Sequence, residues 1–186
     1  MSPTMKPLLY LIGYRGTGKT TVGQLLAHRL GWDFVDADVH LEAKRGKTIK
    51  EIFASDGEAS FRDSESATLR ELSARARCVI ATGGGIVLRE KNAALLRTSG
   101  FVVWLTADAS TLAQRIQADP TTTARRPNLS MGGMAEIEEL LRVREPFYRE
   151  CADLEIDASG TSPESIVETI LKGWTSCNSR SPTSSG

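Results

Sequence analysis

The chain has 186 residues, 40% of them hydrophobic, with 23 Lys plus Arg balanced by 23 Asp plus Glu. That length suits one well-buried core rather than two, and the even charge leaves no overall field to attract nucleic acid or an anionic membrane, so any basic site is local. No run approaches the roughly 18 apolar residues of a membrane span, Met1 to Pro7 lacks the apolar core of a signal peptide, and Cys78, Cys151 and Cys177 form no C-x-x-C pair, so the expectation is a cytoplasmic protein without a zinc site or disulfide framework.

The first predicted strand, 8–12, is the apolar run Leu8-Leu9-Tyr10-Leu11-Ile12, and it leads directly into Gly13-Tyr14-Arg15-Gly16-Thr17-Gly18-Lys19-Thr20. The spacing G-x-x-x-x-G-K-T is that of a P-loop. Glycines at 13, 16 and 18 let backbone N–H groups converge on phosphate oxygens, Lys19 can reach the β- and γ-phosphates, and Thr20 offers a hydroxyl to magnesium. Val22, Leu25, Leu26 and Leu30 follow at helical spacing and predict a helix over 19–30, so both flanks agree with the motif. The bland alternative is an ordinary strand-to-helix turn. A dinucleotide fold fits badly, because no third glycine follows Gly18 at the required spacing.

A second strand over 33–36 ends in Asp36-Ala37-Asp38, which puts two carboxylates at the sheet edge where open α/β folds bind ligands. The two are expected to face opposite sides, one toward metal and one toward substrate. The alternative for Asp38 is that it only caps the next helix. Helices are predicted over 38–44, 48–54 and 58–75, with His28 and His40 on helix surfaces. The third strand, 77–82, holds Cys78, expected to pack as a small hydrophobe, and runs into Gly83-Gly84-Gly85. A ligand approaching bare backbone accounts for three successive glycines better than a flexible strand exit does.

Further on, a helix over 90–97, a strand over 101–105 and a helix over 108–117 precede a stretch from Pro120 to Gly133 without periodicity, with Arg125 and Arg126 near its centre. Such a loop can close over a nucleotide beside a P-loop, or it can be a solvated basic loop. In the helix predicted over 134–149, Arg144 shares the face of Ile137, Leu140, Leu141 and Tyr148 and therefore needs an anionic partner, either a structural carboxylate or a substrate's. Pro146 is expected to kink or end that helix. A strand over 153–156 and a helix over 163–172 complete the domain, and 175–186 is too polar and Ser-rich to fold alone, so it reads as a disordered tail. Alternation of apolar runs and helical patterns predicts an α/β fold, a parallel sheet covered by helices on both faces, as one domain over 1–174 with a lid near 120–133.

Taken with the P-loop, Asp36 and Asp38, the order Phe61-Arg62, Gly83-Gly84-Gly85, Arg126-Pro127 and Arg144-Glu145-Pro146-Phe147-Tyr148-Arg149 resembles the shikimate kinase family from about Leu8 to Leu171. The resemblance implies a three-layer α/β/α fold around a five-stranded parallel sheet of the nucleoside monophosphate kinase type, a monomer, and phosphorylation of the 3-hydroxyl of shikimate by ATP with Mg2+. It further implies that Gly13, Gly16, Thr17, Gly18, Lys19, Thr20 and Thr21 hold the phosphates and that Asp36, with Thr20, serves the metal. Asp38 would hold the reacting hydroxyl, Arg62 and Arg144 the shikimate carboxylate, and Gly83, Gly84 and Gly85 would line the acceptor. Arg126 would be the lid arginine at the transferring phosphoryl group. Adenine would lie between Arg115 and residues 157–163, with Ser162 among its contacts; here the chain offers Gly160 and Thr161 where several relatives carry arginine. In-line transfer then draws mainly on positioning and charge neutralisation by Lys19, Arg126 and magnesium.

A small-molecule P-loop kinase for gluconate or a nucleoside monophosphate is the nearest rival. A nucleotide-dependent switch is the rival of another class, and it lacks the Asn-Lys-x-Asp guanine signature.

Overall fold

In the computed structural model, which describes residues 8–119 and 133–179, the first apolar run is β1 (Leu8–Ile12), and each of its residues is buried. A strand covered on both faces reads as an unbroken apolar run, and this one is the middle of the sheet. The remaining strands are β2 (Asp33–Asp36), β3 (Cys78–Ala81), β4 (Phe101–Thr106) and β5 (Leu154–Asp157), in the order β2-β3-β1-β4-β5 with every neighbouring pair parallel. Parallel neighbours need long crossovers, and helices supply them: α1 (Lys19–Leu30), α2 (Ala37–Arg45), α3 (Ile49–Leu72), α4 (Glu90–Ser99), α5 (Ala109–Ala118), α6 (Gly133–Cys151) and α7 (Pro163–Ser179).

Because successive strand residues point to opposite faces, the sheet feeds two cores. Tyr10, Ile12, Ile80, Val102 and Trp104 pack against Leu69 and Leu72 of α3, Leu96 of α4 and Tyr148 of α6. On the other face Leu9, Leu11, Val79, Val103 and Leu105 meet Val22 and Leu26 of α1 and Ile166, Val167 and Ile170 of α7. This is the expected three-layer arrangement. Cys78 is fully buried in the first core, and burial pushes its thiol up, which keeps it a neutral apolar filler. Among the described residues no helix is long and apolar enough to cross a membrane.

Strand order also fixes where a ligand can sit. From β1 the chain crosses to β2 and β3 on one side, then to β4 and β5 on the other, so the connections part around the carboxyl end of β1. A crevice opens there, at the edge from which the P-loop leaves.

The two helices predicted over 48–54 and 58–75 are both present within α3, parted by a kink at Gly57 (φ 80, ψ 171), a backbone conformation that only glycine adopts easily; Thr48 and Glu51 close the start of the first as a capping box. Two expectations are corrected. Pro146 does not end α6, which continues to Cys151. The proline is exposed, so water can satisfy the carbonyl it leaves without a donor, and the buried Tyr148 and Cys151 beyond it hold the last turns to the core. Finally, α7 extends to Ser179, through the start of the stretch read as tail. Thr175 and Ser176 donate their hydroxyls back to the carbonyls of Leu171 and Lys172 at 2.9 and 2.8 Å, and the buried Trp174 anchors the turn, edge-on to Trp32 at 5.2 Å. The remainder of the tail, 180–186, lies outside the described residues.

Candidate active site

The P-loop turns tightly between β1 and α1. Gly13 has φ 135, and a Cβ built there would fall 2.3 Å from the carbonyl oxygen of Leu105, so both conformation and space require glycine. Gly18, at φ 91, is the N-cap of α1 and supplies no side chain, which leaves the first-turn N–H groups open to an anion. Lys19 begins the helix and curls back: its Nζ donates to the carbonyls of Gly13 and Tyr14, each at 2.8 Å. Thr17 is buried and donates its hydroxyl to the carbonyl of Tyr14 at 2.8 Å, so its side chain shapes the loop from within.

Thr20 Oγ1 donates to Asp36 Oδ2 at 2.9 Å, while Asp36 Oδ1 accepts from the backbone of Asp38 and Val39 at 3.1 and 3.3 Å. Asp36, not Asp38, is therefore the cap of α2. The expectation that the two carboxylates face opposite sides also fails: residues two apart in an extended segment share a face, α2 in any case begins at Ala37, and both aspartates line one cleft. That cleft, about 270 Å³, is bounded by Gly16, Gly18, Lys19, Thr20 and Thr21 on one side, Asp36 and Asp38 on the second, and Thr82, Gly83 and Gly84 on the third. Arg115 of α5 closes the fourth side, donating to the carbonyl of Gly16 at 3.3 Å and to that of Ala158 at 2.9 Å, which ties the P-loop to the loop before α7.

The triple glycine is shaped by space. A Cβ on Gly85 would come within 2.3 Å of Arg62 Nη1, so the guanidinium lies directly against that backbone. Arg62 is held by its own helix, donating to Glu65 at 2.9 Å and Glu58 at 3.4 Å. A Cβ on Gly84 would lie 3.6 Å from Arg144 Nη1. Arg144 is half-buried, with its guanidinium 5.7 Å from the centroid of the Tyr14 ring, and among the described residues no carboxylate pairs with it. Burial pushes the Tyr14 phenol up, against the pull of Arg15 and Arg144, so the ring stays neutral beneath that cation. Among the described residues, then, a structural ion pair, one of the two explanations for Arg144, is not found.

Of the predicted residues, Gly16, Gly18, Lys19, Thr20, Thr21, Asp36, Asp38, Gly83, Gly84 and Arg115 line the cleft, Arg144 lies beside its Gly84 and Arg62 against the neighbouring Gly85, while Gly13 and Thr17 shape the P-loop itself. Ser162 is not brought into the cleft; its hydroxyl accepts from Ser165 N at 3.2 Å and serves the first turn of α7. Arg126, with the rest of the predicted lid, lies outside the described residues. Arg15 and Asp119 line the cleft and were not singled out. A basic residue at a variable position of the P-loop was a readable signal for Arg15. For Asp119, at the end of α5, there was none.

The family model for shikimate kinase matches residues 15–174. A shikimate kinase of Rhodopirellula baltica is 46% identical over 165 residues, covering 88% of each chain. The solved structure of the shikimate kinase from Acinetobacter baumannii in complex with shikimate superposes with a TM-score of 0.87 at 36% identity, over 96% of this chain and 97% of that one. A gluconokinase from Sinorhizobium meliloti superposes with a TM-score of 0.59 at 16% identity, covering 94% of each chain, which is a likeness of fold alone.

Proposed function

The chain belongs to the shikimate kinase family, and from that premise we infer that it transfers the γ-phosphoryl group of ATP to the 3-hydroxyl of shikimate. One observation supports this above others: a P-loop and an aspartate pair share a cleft with a bare glycine backbone against which two arginines lie. A phosphate site joined to a fork-shaped carboxylate site suits a hydroxylated cyclic acid better than gluconate or a nucleotide base.

In this reading Lys19 leaves the loop carbonyls for the β- and γ-phosphates and neutralises charge as the phosphoryl group transfers. Thr20 and Asp36 fit magnesium, because their oxygens already sit together at 2.9 Å and hard cations take oxygen donors. When bound there, such an ion would supply charge neutralisation to the phosphate oxygens. Asp38 orients the reacting hydroxyl. Arg62 and Arg144 grip the carboxylate beside Gly84 and Gly85, Arg115 borders the adenine side, and Arg126 stabilises the transferring group. Balanced charge supports a small-molecule acceptor rather than nucleic acid, and we propose a monomer as the working form.

A coupled assay of ADP release, offering shikimate, gluconate and nucleoside monophosphates in turn, tests the reading. Turnover is expected with shikimate alone, and equal turnover with gluconate overturns it.

A further inference from the structure

One turn beyond Arg144, α6 buries Tyr148 (1% exposed) on Trp104 of β4, the two rings stacked with centroids 5.6 Å apart. A ring packed there gains as much from phenylalanine as from tyrosine, but a buried hydroxyl needs a partner. Its partner is the carbonyl of Gly84, to which it donates. Three groups from the P-loop and α6 meet at that glycine: a Cβ built on it would lie 3.4 Å from Gly13 O, 3.6 Å from Arg144 Nη1 and 3.6 Å from the Tyr148 hydroxyl. The triple glycine has no side chains with which to hold itself, so its position depends on what grips its backbone. Beyond it, the buried Asn92 donates to the carbonyl of Ile86 at 3.2 Å and holds the far end.

Resting on the reading of this cleft as a shikimate kinase site, we infer that Tyr148 is a positioning residue for the acceptor. Its hydroxyl sets the Gly84 carbonyl, and its seat on Trp104 sets the rotation of α6. Arg144, four residues earlier on the same helix face, is thereby aimed at the acceptor's carboxylate beside that glycine. Pro146 lies between the two and lacks an N–H, so the helix there has one backbone bond fewer and the anchor at Tyr148 carries more of the register.

Tyr148→Phe tests this against Tyr10→Phe, which removes another buried phenol hydroxyl, bonded to Ser99 at 2.8 Å and outside the crevice. Both substitutions keep the ring and hence the packing. With shikimate and ATP varied in turn, Tyr148→Phe is expected to raise KM for shikimate about fivefold or more while KM for ATP stays within about twofold. Tyr10→Phe is expected to move neither constant, although melting temperatures fall in both variants. An unchanged shikimate KM in Tyr148→Phe, or equal rises for both substrates, overturns the inference while leaving the functional reading intact. Absence of shikimate turnover in the unmodified enzyme refutes that reading itself, and this inference with it.

Discussion

Thr20 of α1 and Asp36 at the start of α2 are joined by a 2.9 Å hydrogen bond, and the same aspartate caps α2 through its other oxygen. One carboxylate thus holds a helix end and stands at the proposed metal position. The two roles separate by substitution. Asp36→Asn keeps a good cap but loses the charge, whereas Asp36→Ala loses both. Thermal stability is expected to fall by about 1 kcal/mol, or about 2–4 °C, in the alanine variant only. Both variants are expected to need more Mg2+ for half-maximal turnover, and a magnesium titration indistinguishable from the parent's in Asp36→Asn removes the metal role.

Lys19→Ala strips the ammonium from the P-loop while leaving its glycines in place. Turnover is expected to drop by at least about 10²-fold, the scale of losing one preorganised charge at a transferring group. Circular dichroism should remain that of the parent. Undiminished turnover is the result that removes the P-loop reading.

Arg144→Lys retains a charge but not the planar fork. Loss of a charged, paired contact of about 1–3 kcal/mol corresponds to a rise of roughly 5- to 150-fold in KM for shikimate, with that for ATP little changed. Because Arg144 has no carboxylate partner among the described residues, its melting temperature is expected to stay near the parent's. A lowered melting temperature with an unchanged shikimate KM makes the arginine structural.

Gly13 and Gly85 should separate stability from binding. An alanine at 13 meets the Leu105 carbonyl at 2.3 Å with φ 135, and neither backbone can give way easily, so a loss of about 1–3 kcal/mol is expected from the strained conformation alone. At 85 the obstacle is the far end of the Arg62 side chain, which can swing aside. Gly85→Ala is therefore expected to melt near the parent's temperature yet bind shikimate poorly. Normal shikimate KM in Gly85→Ala would place Arg62 outside the acceptor site.

Alkaline pH should loosen the core on the α6 side. Burial pushes Tyr10 up to about 12 and Cys151 up to about 11, against 10.0 and 9.0 for the free groups. The unfolded chain therefore releases these protons first as pH rises, and stability that is complete below pH 9 declines between about 9 and 12. Urea melts under reducing conditions should be flat from pH 7 to 8.5 and weaken steadily above 9, with Cys151→Ala flattening the first part of that decline. A curve for Cys151→Ala parallel to the parent's throughout that range excludes Cys151 as a contributor.

What the sequence determined by itself was everything carried by local spacing. The P-loop is a run of neighbours, and its glycines, lysine and apolar flanks state their purpose within one turn of chain. The central strands β1, β3 and β4 were legible because a strand buried on both faces is a continuous apolar run, and the helices because their apolar residues recur with the helical period. Local rules failed where a neighbour in space intervened. The separation expected of Asp36 and Asp38 was wrong because a strand spacing of two shares one face and α2 begins between them, and Pro146 does not end its helix because Tyr148 and Cys151 are held in the core beyond it. Only the tertiary structure decided which distant groups touch. Placing β3 beside β1 brings Gly84 to Gly13, and packing α6 on that face brings Arg144 and Tyr148 to the same glycine. No spacing along the chain encodes those contacts, since they follow from the order in which strands pair and from the side of the sheet each helix covers.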